Sequence, residues 1–333
     1  MTVPYAELPL REFVGLLPKT ETHLHLEGAL PVDLLRTVQP GVDLSFWDWD
    51  FKFRSFEEFL HSLLEKQAAW FTSVERYRTA ASHLFRRHRA ENVRYVEVSV
   101  ATGALEAANL NGREVLAAIV SAAPPGLEVR VFLGVHHDGN TPAMAETLAE
   151  CISWPELSGI DLHGSEDVPL EPWTAKLWRA ARQHGKLTKA HAGEFCGPEF
   201  VWRVLTELEP HRVEHGVRAV EDATLVKELV RRDVALDMCP ISNHRLIPGV
   251  RLANHPIREL FDAGVTVTLS TDDPVMFGNT VSDEYVALAE GRGFARRELV
   301  QLARNGFRVA LLPEREKRRY CAELDVIEAA LTA

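Results

Sequence analysis

Residues 187–231 read LTKAHAGEFCGPEFVWRVLTELEPHRVEHGVRAVEDATLVKELVR, and they contain the pattern that decides the fold. Two short runs suited to β-strands, Leu187–His191 and Arg212–His215, are each followed by a segment of helical composition, Phe200–Leu208 and Ala223–Arg231. A strand, a helix and a further strand in this order imply parallel pairing, because the helix carries the chain back to the starting edge of the sheet. The stretch therefore predicts two consecutive β/α units.

The same alternation continues on both sides of this stretch. Six further strand candidates are Thr20–Leu26, Arg94–Val100, Glu128–Val135, Gly159–Leu162, Val234–Met238 and Val265–Ser270. Three further helical segments are Gly112–Ala123, Trp173–His184 and Ile257–Ala263. Eight strands alternating with helices are the number that closes a barrel. The sequence therefore predicts an α/β fold, a (β/α)8 TIM barrel, as a single domain over residues 1–333.

An open, doubly wound sheet is the alternative architecture. Such a sheet usually has a glycine-rich turn directly after its first strand. The nearest pattern of that kind, Gly291-x-Gly293, is incomplete and lies near the C-terminus. The barrel is therefore favoured.

The gap between the first two predicted strands is long and contains extra helices, including Phe56–Phe71. We expect this insertion, at about residues 30–90, to cover the barrel mouth as a lid. The aromatic residues Phe56, Phe59 and Trp70 recur at helical spacing, which is more often a sign of ordinary core packing. Both interpretations stay open here.

Composition excludes several classes of protein. The chain has 37 Lys and Arg against 48 Asp and Glu, and its formal net charge of −11 argues against a general nucleic-acid binder, which needs a basic face. No apolar run approaches the roughly 18 residues of a membrane helix, and the first residues, MTVPYAELPLREF, lack the pattern of a secretory signal. We therefore expect a cytoplasmic location. The four cysteines form no CxxC pair, so reduced thiols are expected.

Polar side chains follow the ends of the predicted strands. The first of these strands ends in the run THLHLEG at residues 22–28. Residues two apart on a strand project to the same side, so His23 and His25 would point at a common spot in the barrel mouth. Two converging imidazoles suit zinc, iron or cobalt. The pair alone also fits two histidines that are hydrogen-bonded in a core.

The fifth and sixth predicted strands end in further candidates. The fifth ends in HAGE at 191–194, and the sixth ends in EHG at 214–216. Glu194 would be a proton donor only if burial or a substrate nitrogen kept a proton on it. The alternative is an acidic residue that complements the dipole of the next helix.

Two adjacent carboxylates, Asp272 and Asp273, follow the eighth predicted strand. Such a pair is costly unless a metal or a hydrogen-bonded ligand takes up its charge. If the backbone stays extended, the two side chains point in opposite directions, and their roles should divide. The alternative is an Asp-Asp-Pro cap of a surface helix. Three histidines and one Asp together form an N/O donor set without thiolate, which is typical of a catalytic metal that keeps a position open for water.

The whole pattern resembles the adenosine deaminase family of barrel amidohydrolases. The resemblance spans nearly the whole chain in the family's order. The matching stretches are PKTETHLHLEG at 18–28, GIDLHGSE at 159–166, HAGE at 191–194, HG at 215–216, CP at 239–240 and STDDP at 270–274.

The resemblance implies one bound zinc ion, with iron or cobalt also suited to the donors. Its implied ligands are His23, His25, His191 and Asp272. The implied catalytic residues are Glu194, His215 and Asp272. In this scheme water made reactive by zinc adds to C6 of a 6-aminopurine, His215 lies beside that water, and Glu194 protonates N1. Ammonia then leaves, and the 6-oxopurine remains.

The resemblance also implies substrate contacts. The backbone at Gly164 and the side chain of Asp273 would meet N3 and N7 of the purine. Glu27 occupies a position near the ribose 5′ end, where many adenosine deaminases carry Asp, and the longer residue resembles adenine deaminases and some aminodeoxyfutalosine deaminases. The stretches at 159–164 and 271–274 look more like the nucleoside branch. We therefore expect adenosine, deoxyadenosine or aminodeoxyfutalosine, with free adenine as the alternative, and the pattern allows a homo-oligomer.

Three rival assignments are less well supported. A cytidine-deaminase-type site would need Pro-Cys-x-x-Cys, which the chain lacks. A binuclear metallohydrolase of this barrel group commonly has a Lys after its fourth strand, and Gly159–His163 offers none. A non-catalytic purine-binding relative would be expected to have lost Glu194 or a metal ligand, and every position is filled.

Overall fold

The computed structural model describes residues 5–331, and its centre is one eight-stranded parallel sheet in the order β1 to β8. The strands are β1 Lys19–Glu21, β2 Val93–Ala101, β3 Glu128–His136, β4 Leu157–His163, β5 Leu187–Ala192, β6 Arg212–His215, β7 Ala235–Met238 and β8 Val267–Leu269. Each strand pairs in parallel with the next along the chain. The predicted α/β architecture is therefore confirmed.

Contacts just beyond the last strand close the barrel. Leu24 and Asp272 form a parallel bridge. The His25 amide donates to the Asp272 carbonyl at 3.1 Å, and the Asp272 amide donates to the His23 carbonyl at 3.2 Å. The first and last strands thus join at the C-terminal mouth, and the fold is a (β/α)8 TIM barrel.

Within residues 5–331, sixteen α-helices surround the sheet. They are α1 Leu10–Leu16, α2 Val32–Val38, α3 Phe56–Trp70, α4 Val74–Ala90, α5 Thr102–Ala107, α6 Gly112–Ser121, α7 Ala145–Glu150, α8 Pro172–Gln183, α9 Pro198–Glu207, α10 Ala223–Arg232, α11 Pro240–Leu246, α12 Ile257–Asp262, α13 Pro274–Phe277, α14 Val281–Arg292, α15 Arg296–Val309 and α16 Glu314–Ala330. Among residues 5–331, no helix is long and apolar enough to cross a membrane.

The predicted first strand, Thr20–Leu26, is too long. In the structure β1 ends at Glu21, because the amides of Thr22 and His23 donate to the Ser270 hydroxyl at 2.9 and 3.0 Å instead of continuing a ladder. The predicted eighth strand, Val265–Ser270, is likewise shortened to β8. Both strands give way to irregular backbone where they approach the mouth.

The insertion in the structure is shorter than the predicted segment at about residues 30–90. Helix α4 packs against β2 and α6, as a helix of the barrel's outer ring does. It begins at the cap Ser73, whose side chain accepts from the Arg76 amide at 3.3 Å. Helices α2 and α3 and the segment between them are therefore the extra part.

Buried charged side chains fill the barrel interior below the mouth. Lys189 pairs with Glu214, and Arg212 pairs with Glu97 and lies 3.2 Å from an Asp237 oxygen. All five side chains are buried. A buried charge is tolerated only with a close partner. The Arg212–Glu97 pair joins β6 to β2, which are not neighbours in the sheet.

Candidate active site

Four side chains converge at the barrel mouth, and they are the four ligands implied by the sequence. Nε2 of His23 lies 3.1 Å from Nε2 of His191 and 3.3 Å from Nε2 of His25. Oδ1 of Asp272 lies 3.1 Å from Nε2 of His25 and 3.5 Å from Nε2 of His23. The four donor atoms all lie within 4.8 Å of one another.

The hydrogen-bond partners of the Nδ1 atoms show that the Nε2 atoms carry the free lone pairs. Nδ1 of His191 lies 2.8 Å from the Leu162 carbonyl, and Nδ1 of His23 lies 3.3 Å from the Asp237 carbonyl. A carbonyl only accepts, so each ring carries its proton at Nδ1 and directs the Nε2 lone pair inward. Lone pairs that face each other this closely repel unless a cation lies between them. The site therefore fits a divalent metal with nitrogen and oxygen ligands.

The backbone at Asp272 is not extended. Its φ of 65° lies in the left-handed region, as does the φ of 63° at His215. The premise that Asp272 and Asp273 diverge on an extended strand is therefore wrong. Ser242 on α11 donates to Oδ2 of Asp272 at 2.7 Å, which orients the carboxylate.

Glu194 lies beside His215 and outside the next helix. Its Oε2 is 3.5 Å from Nε2 of His215, whereas α9 begins only at Pro198 and has Glu199 in its first turn. The alternative role as a helix-terminal acid is thus wrong. Burial, together with the charges of Asp272 and Glu166, raises the pKa of Glu194 well above its usual range, so the carboxyl can hold a proton.

The loop that carries Glu194 is held by Glu166. One carboxylate oxygen of Glu166 accepts from the Glu194 amide at 3.0 Å, and the other accepts from the Phe195 amide at 3.1 Å. Glu166 itself is buried. This side chain therefore fixes the backbone on both sides of the Glu194 side chain.

Asp273 is buried and does not cap a surface helix. It precedes α13, but its side chain makes no capping bond. A Cβ at Gly28 would lie 1.5 Å from Oδ1 of Asp273, so glycine is required for this close approach. Burial and the neighbouring Asp272 raise the pKa of Asp273 well above its usual range.

Glu27 follows β1 and Gly164 follows β4 at the barrel mouth. The Glu27 carboxylate accepts from Tyr77 Oη at 2.9 Å and from the Ala101 amide at 3.3 Å, and burial raises its pKa to about 7. Gly164 has a φ of 96°, a conformation that favours glycine, and it lies near the ring of His136. The Glu27 carboxylate therefore already has protein hydrogen-bond donors, whereas Gly164 has no side chain that would cover its backbone.

Sequence reasoning missed several supporting residues. Ser242 and Asn243 lie one residue beyond the Cys239-Pro240 stretch, and Nδ2 of Asn243 lies 3.1 Å from Nδ1 of His215. Asp161 binds Nε2 of His163 at 2.8 Å. The spacing of Asp161 and His163 by two residues on a predicted strand was an available signal, because it matches that of the first two histidines.

Comparison with known proteins decides the family. The family model described as adenosine deaminase matches residues 18–327, which is most of the chain. The chain belongs to the adenosine deaminase family. It is accordingly a hydrolase that removes an amino group by breaking a C–N bond of a cyclic amidine.

Individual relatives agree with this family. The adenine deaminase of Agrobacterium fabrum is 32% identical over 319 residues, covering 92% of this chain and 98% of the relative. Further relatives with 27% to 31% identity carry the same name. The structure of adenine deaminase from Arthrobacter aurescens matches with a TM-score of 0.83 and 25% identity over 93% of this chain and 98% of that one.

A further structural neighbour is an amidohydrolase from Burkhoderia ambifaria, described with bound Zn. It matches with a TM-score of 0.84 and 24% identity over 99% of this chain and 98% of that one. At this identity it supports the fold. The donor set at the mouth of this deaminase is of the kind that holds a divalent metal.

Proposed function

We propose that this deaminase acts on free adenine and converts it to hypoxanthine with release of ammonia. The convergence of three imidazoles and Asp272 beside Glu194, whose raised pKa lets its carboxyl hold a proton, carries the reaction class. The relatives of similar length are named adenine deaminases, and they favour the free base over the nucleoside expected from the 159–164 and 271–274 stretches. The substrate preference drawn from those two stretches is therefore replaced by its alternative.

The environment of Glu27 supports a substrate without ribose. Its carboxylate was expected to lie near the 5′ end of a ribose, but its Oε1 already accepts from Tyr77 Oη at 2.9 Å and from the Ala101 amide at 3.3 Å. The residue is only 3% exposed. A nucleoside hydroxyl would have to reach a buried carboxylate that already has two protein donors, whereas adenine needs no contact there.

We propose zinc as the metal, held by His23, His25, His191 and Asp272, although the same donors suit iron or cobalt. When bound, such a metal lowers the pKa of a water molecule to roughly 7 and so provides hydroxide near neutral pH. Burial raises the pKa of the nearby Cys239 thiol well above its usual range, so this thiol stays neutral.

The protein's own groups divide the proton transfers. Glu194 holds a proton on its carboxyl and delivers it to N1 of the purine, which makes C6 more electrophilic. Asp272 presents a carboxylate that Ser242 orients, and it accepts the proton of the attacking water. His215 lies between them, and Asp273 with the Gly164 backbone faces the remaining ring nitrogens.

The α2–α3 insertion is positioned to exclude water from this reaction. The ring of Phe56 at the start of α3 lies 5.2 Å, centroid to centroid, from the ring of Phe195, the residue after Glu194. Phe59 stacks on Phe277 of α13 at 5.5 Å. The insertion therefore contacts both loops that carry the acidic groups of the site.

The test is ammonia release by the zinc-loaded protein on adenine, adenosine, 2′-deoxyadenosine and aminodeoxyfutalosine, compared by kcat/KM. We expect adenine to exceed the others by about 100-fold or more, because a pocket shaped for the base rejects a bulky N9 substituent. A nucleoside as the best substrate would refute the assignment to adenine. If the metal-bound protein released ammonia from none of these purines, the proposal that it deaminates them would be refuted.

The variant Glu194→Gln tests the proton donor. It keeps the shape of the side chain but cannot donate a carboxyl proton, so we expect kcat to fall by about 1,000-fold or more. Metal content, measured by elemental analysis, should stay that of the native protein. Glu199→Gln, in the first turn of α9, is the matched control and should leave turnover unchanged. Near-native turnover of Glu194→Gln would exclude the assigned role.

A further inference from the structure

Four buried groups behind the active site form one continuous hydrogen-bonded chain. Nδ1 of His215 lies 3.1 Å from Nδ2 of Asn243, and Oδ1 of Asn243 lies 3.1 Å from Nε2 of His255. Nδ1 of His255 accepts from the backbone amide of Ile257 at 3.2 Å. His215, Asn243 and His255 are all buried.

The Ile257 amide, at the end away from the active site, decides which group donates in each of these hydrogen bonds. The Ile257 amide can only donate, so Nδ1 of His255 must carry a lone pair. Burial lowers the pKa of His255 to about 3, so the ring is neutral and its proton is on Nε2. That proton can be donated only to an acceptor, which places the Asn243 oxygen toward His255. The amide nitrogen of Asn243 is then left to donate to His215.

The orientation of the Asn243 amide follows from its neighbours and need not be assigned first. The oxygen and nitrogen of an amide look alike, but a backbone N–H has one polarity. Starting from Ile257, each partner in turn has a single role that avoids a buried donor facing a donor. Such a mismatch would cost the desolvation of both groups.

We propose that Asn243 and His255 are positioning residues that hold His215 in the tautomer with its proton on Nε2. Nδ1 of His215 accepts from Asn243, so the Nε2–H is directed at the active site, 3.5 Å from Glu194 Oε2 and 4.0 Å from Asp272 Oδ2. In this state Nε2 of His215 is only a hydrogen-bond donor and cannot take a proton. The attacking water must then lose its proton to Asp272.

The position of Asn243 in the fold supports this role. It is next to Ser242 on α11, and the two adjacent side chains contact His215 and Asp272, both of which have left-handed backbone at the mouth. One short helix thus orients both the donor and the acceptor that face the substrate. The catalytic meaning of the tautomer rests on the proposed function, but the tautomer itself does not.

The experiment is a long-range ¹H–¹⁵N correlation spectrum of the zinc-loaded protein labelled with ¹⁵N in histidine rings. The His215 signals are assigned by their loss in His215→Gln. We expect the pattern of a neutral ring protonated at Nε2. A ring protonated at Nδ1 in the native protein would overturn the proposal without any variant being needed.

Substitutions of Asn243 and His255 should reverse, keep or abolish the Nε2–H tautomer of His215. Asn243→Asp offers only acceptor oxygens, so it should draw the His215 proton to Nδ1 and lower kcat by about 100-fold, with a smaller change in KM. His255→Gln can still accept from Ile257 and donate to Asn243, and it should keep the Nε2–H pattern. His255→Leu should lose it. An unchanged His215 pattern in folded Asn243→Asp would also overturn the proposal.

The matched control is Asn305→Asp, a buried Asn on α15 that donates to the Val267 carbonyl at 2.9 Å, away from the site. It should leave the His215 spectrum unchanged. If the tautomer behaves as expected while no purine is deaminated, the proposed function fails and the positioning role stands. If adenine is deaminated and the His215 tautomer does not respond to the variants, the proposed function stands and the positioning role fails.

Discussion

His215 and Asp272 both have left-handed backbone at the barrel mouth. A residue other than glycine in this region costs of order 1 kcal/mol, and it persists where surrounding contacts enforce it. Here those contacts come from Asn243 and Ser242. Because of this backbone conformation, the two side chains depart from the alternation of an extended strand and point into the site.

Gly28→Ala should impair substrate binding without unfolding the protein. A Cβ at this position would lie 1.5 Å from Oδ1 of Asp273, so the carboxylate must move. We expect kcat/KM for adenine to fall by about 100-fold, since small displacements of positioned groups have effects of this size. Circular dichroism should be native.

Gly15→Ala is the matched control, because a Cβ there would meet nothing within 4 Å. Its kcat/KM should equal that of the native protein. Native activity of Gly28→Ala would show that Asp273 is free to shift or does not contact substrate.

Glu27→Gln should change how stability depends on pH. Burial raises the pKa of Glu27 from 4.5 to about 7, so the folded protein prefers the protonated form. The stability that this group contributes is complete below pH 4.5 and is lost as the pH rises through about 7, by up to about 3 kcal/mol. The uncharged glutamine lacks this dependence.

Thermal unfolding of both proteins from pH 5 to pH 8 measures the effect. The Tm of native protein minus that of Glu27→Gln should fall across this range and then level off. Glu7→Gln is the control at an exposed position, and its difference should stay flat. A constant difference for Glu27→Gln would mean that the carboxyl is ionised throughout.

At the scale of elements, α11 connects the site to the insertion. Its Ser242 and Asn243 contact Asp272 and His215, and its Arg245 donates to backbone carbonyls of the insertion. The guanidinium reaches the Phe46 carbonyl at 2.6 Å and the Trp47 carbonyl at 3.0 Å. The helix that contacts Asp272 and His215 is therefore also hydrogen-bonded to the insertion.

Arg245→Met should loosen the insertion. It removes charged hydrogen bonds to three carbonyls in residues 46–48, so we expect the free energy of unfolding to fall by about 2 kcal/mol. Amide hydrogen exchange at 46–50 should accelerate, and KM should rise. Arg203→Met, at an exposed position on α9, is the control. Unchanged exchange at 46–50 would show that the insertion is held by its aromatic packing instead.

At the scale of the molecule, the proposed metal ligands join the two ends of the sheet. His23 and His25 follow β1, Asp272 follows β8, and the bridge between Leu24 and Asp272 closes the barrel at the same point. A ligand that binds only the folded state stabilises it. Metal binding and barrel closure should therefore be linked.

His23→Ala should lower both metal content and thermal stability. We expect well under one metal ion per chain by elemental analysis and a lower Tm. A chelator should lower the Tm of native protein but hardly affect the variant. His184→Ala, at an exposed position after α8, is the control and should keep native metal content. Full metal occupancy in His23→Ala would show that the ligands are misassigned.

The sequence alone determined the barrel and the positions of its main polar clusters. Strand and helix composition is a local property, so β6 was predicted at Arg212–His215 with its observed bounds, and α10 within one residue. Two-residue spacing placed His23 and His25 on one side of the chain. The family pattern then supplied His191, Glu194 and Asp272 as their neighbours.

Tertiary structure alone decided how the barrel closes and what holds the site in place. The Ser270 hydroxyl ends β1, Glu166 fixes the Glu194 loop, and Glu27 is occupied by Tyr77. These contacts join residues that are between 28 and 248 positions apart. Local pattern cannot reveal them, because hydrogen-bond geometry and burial depend on the packed arrangement of the whole chain.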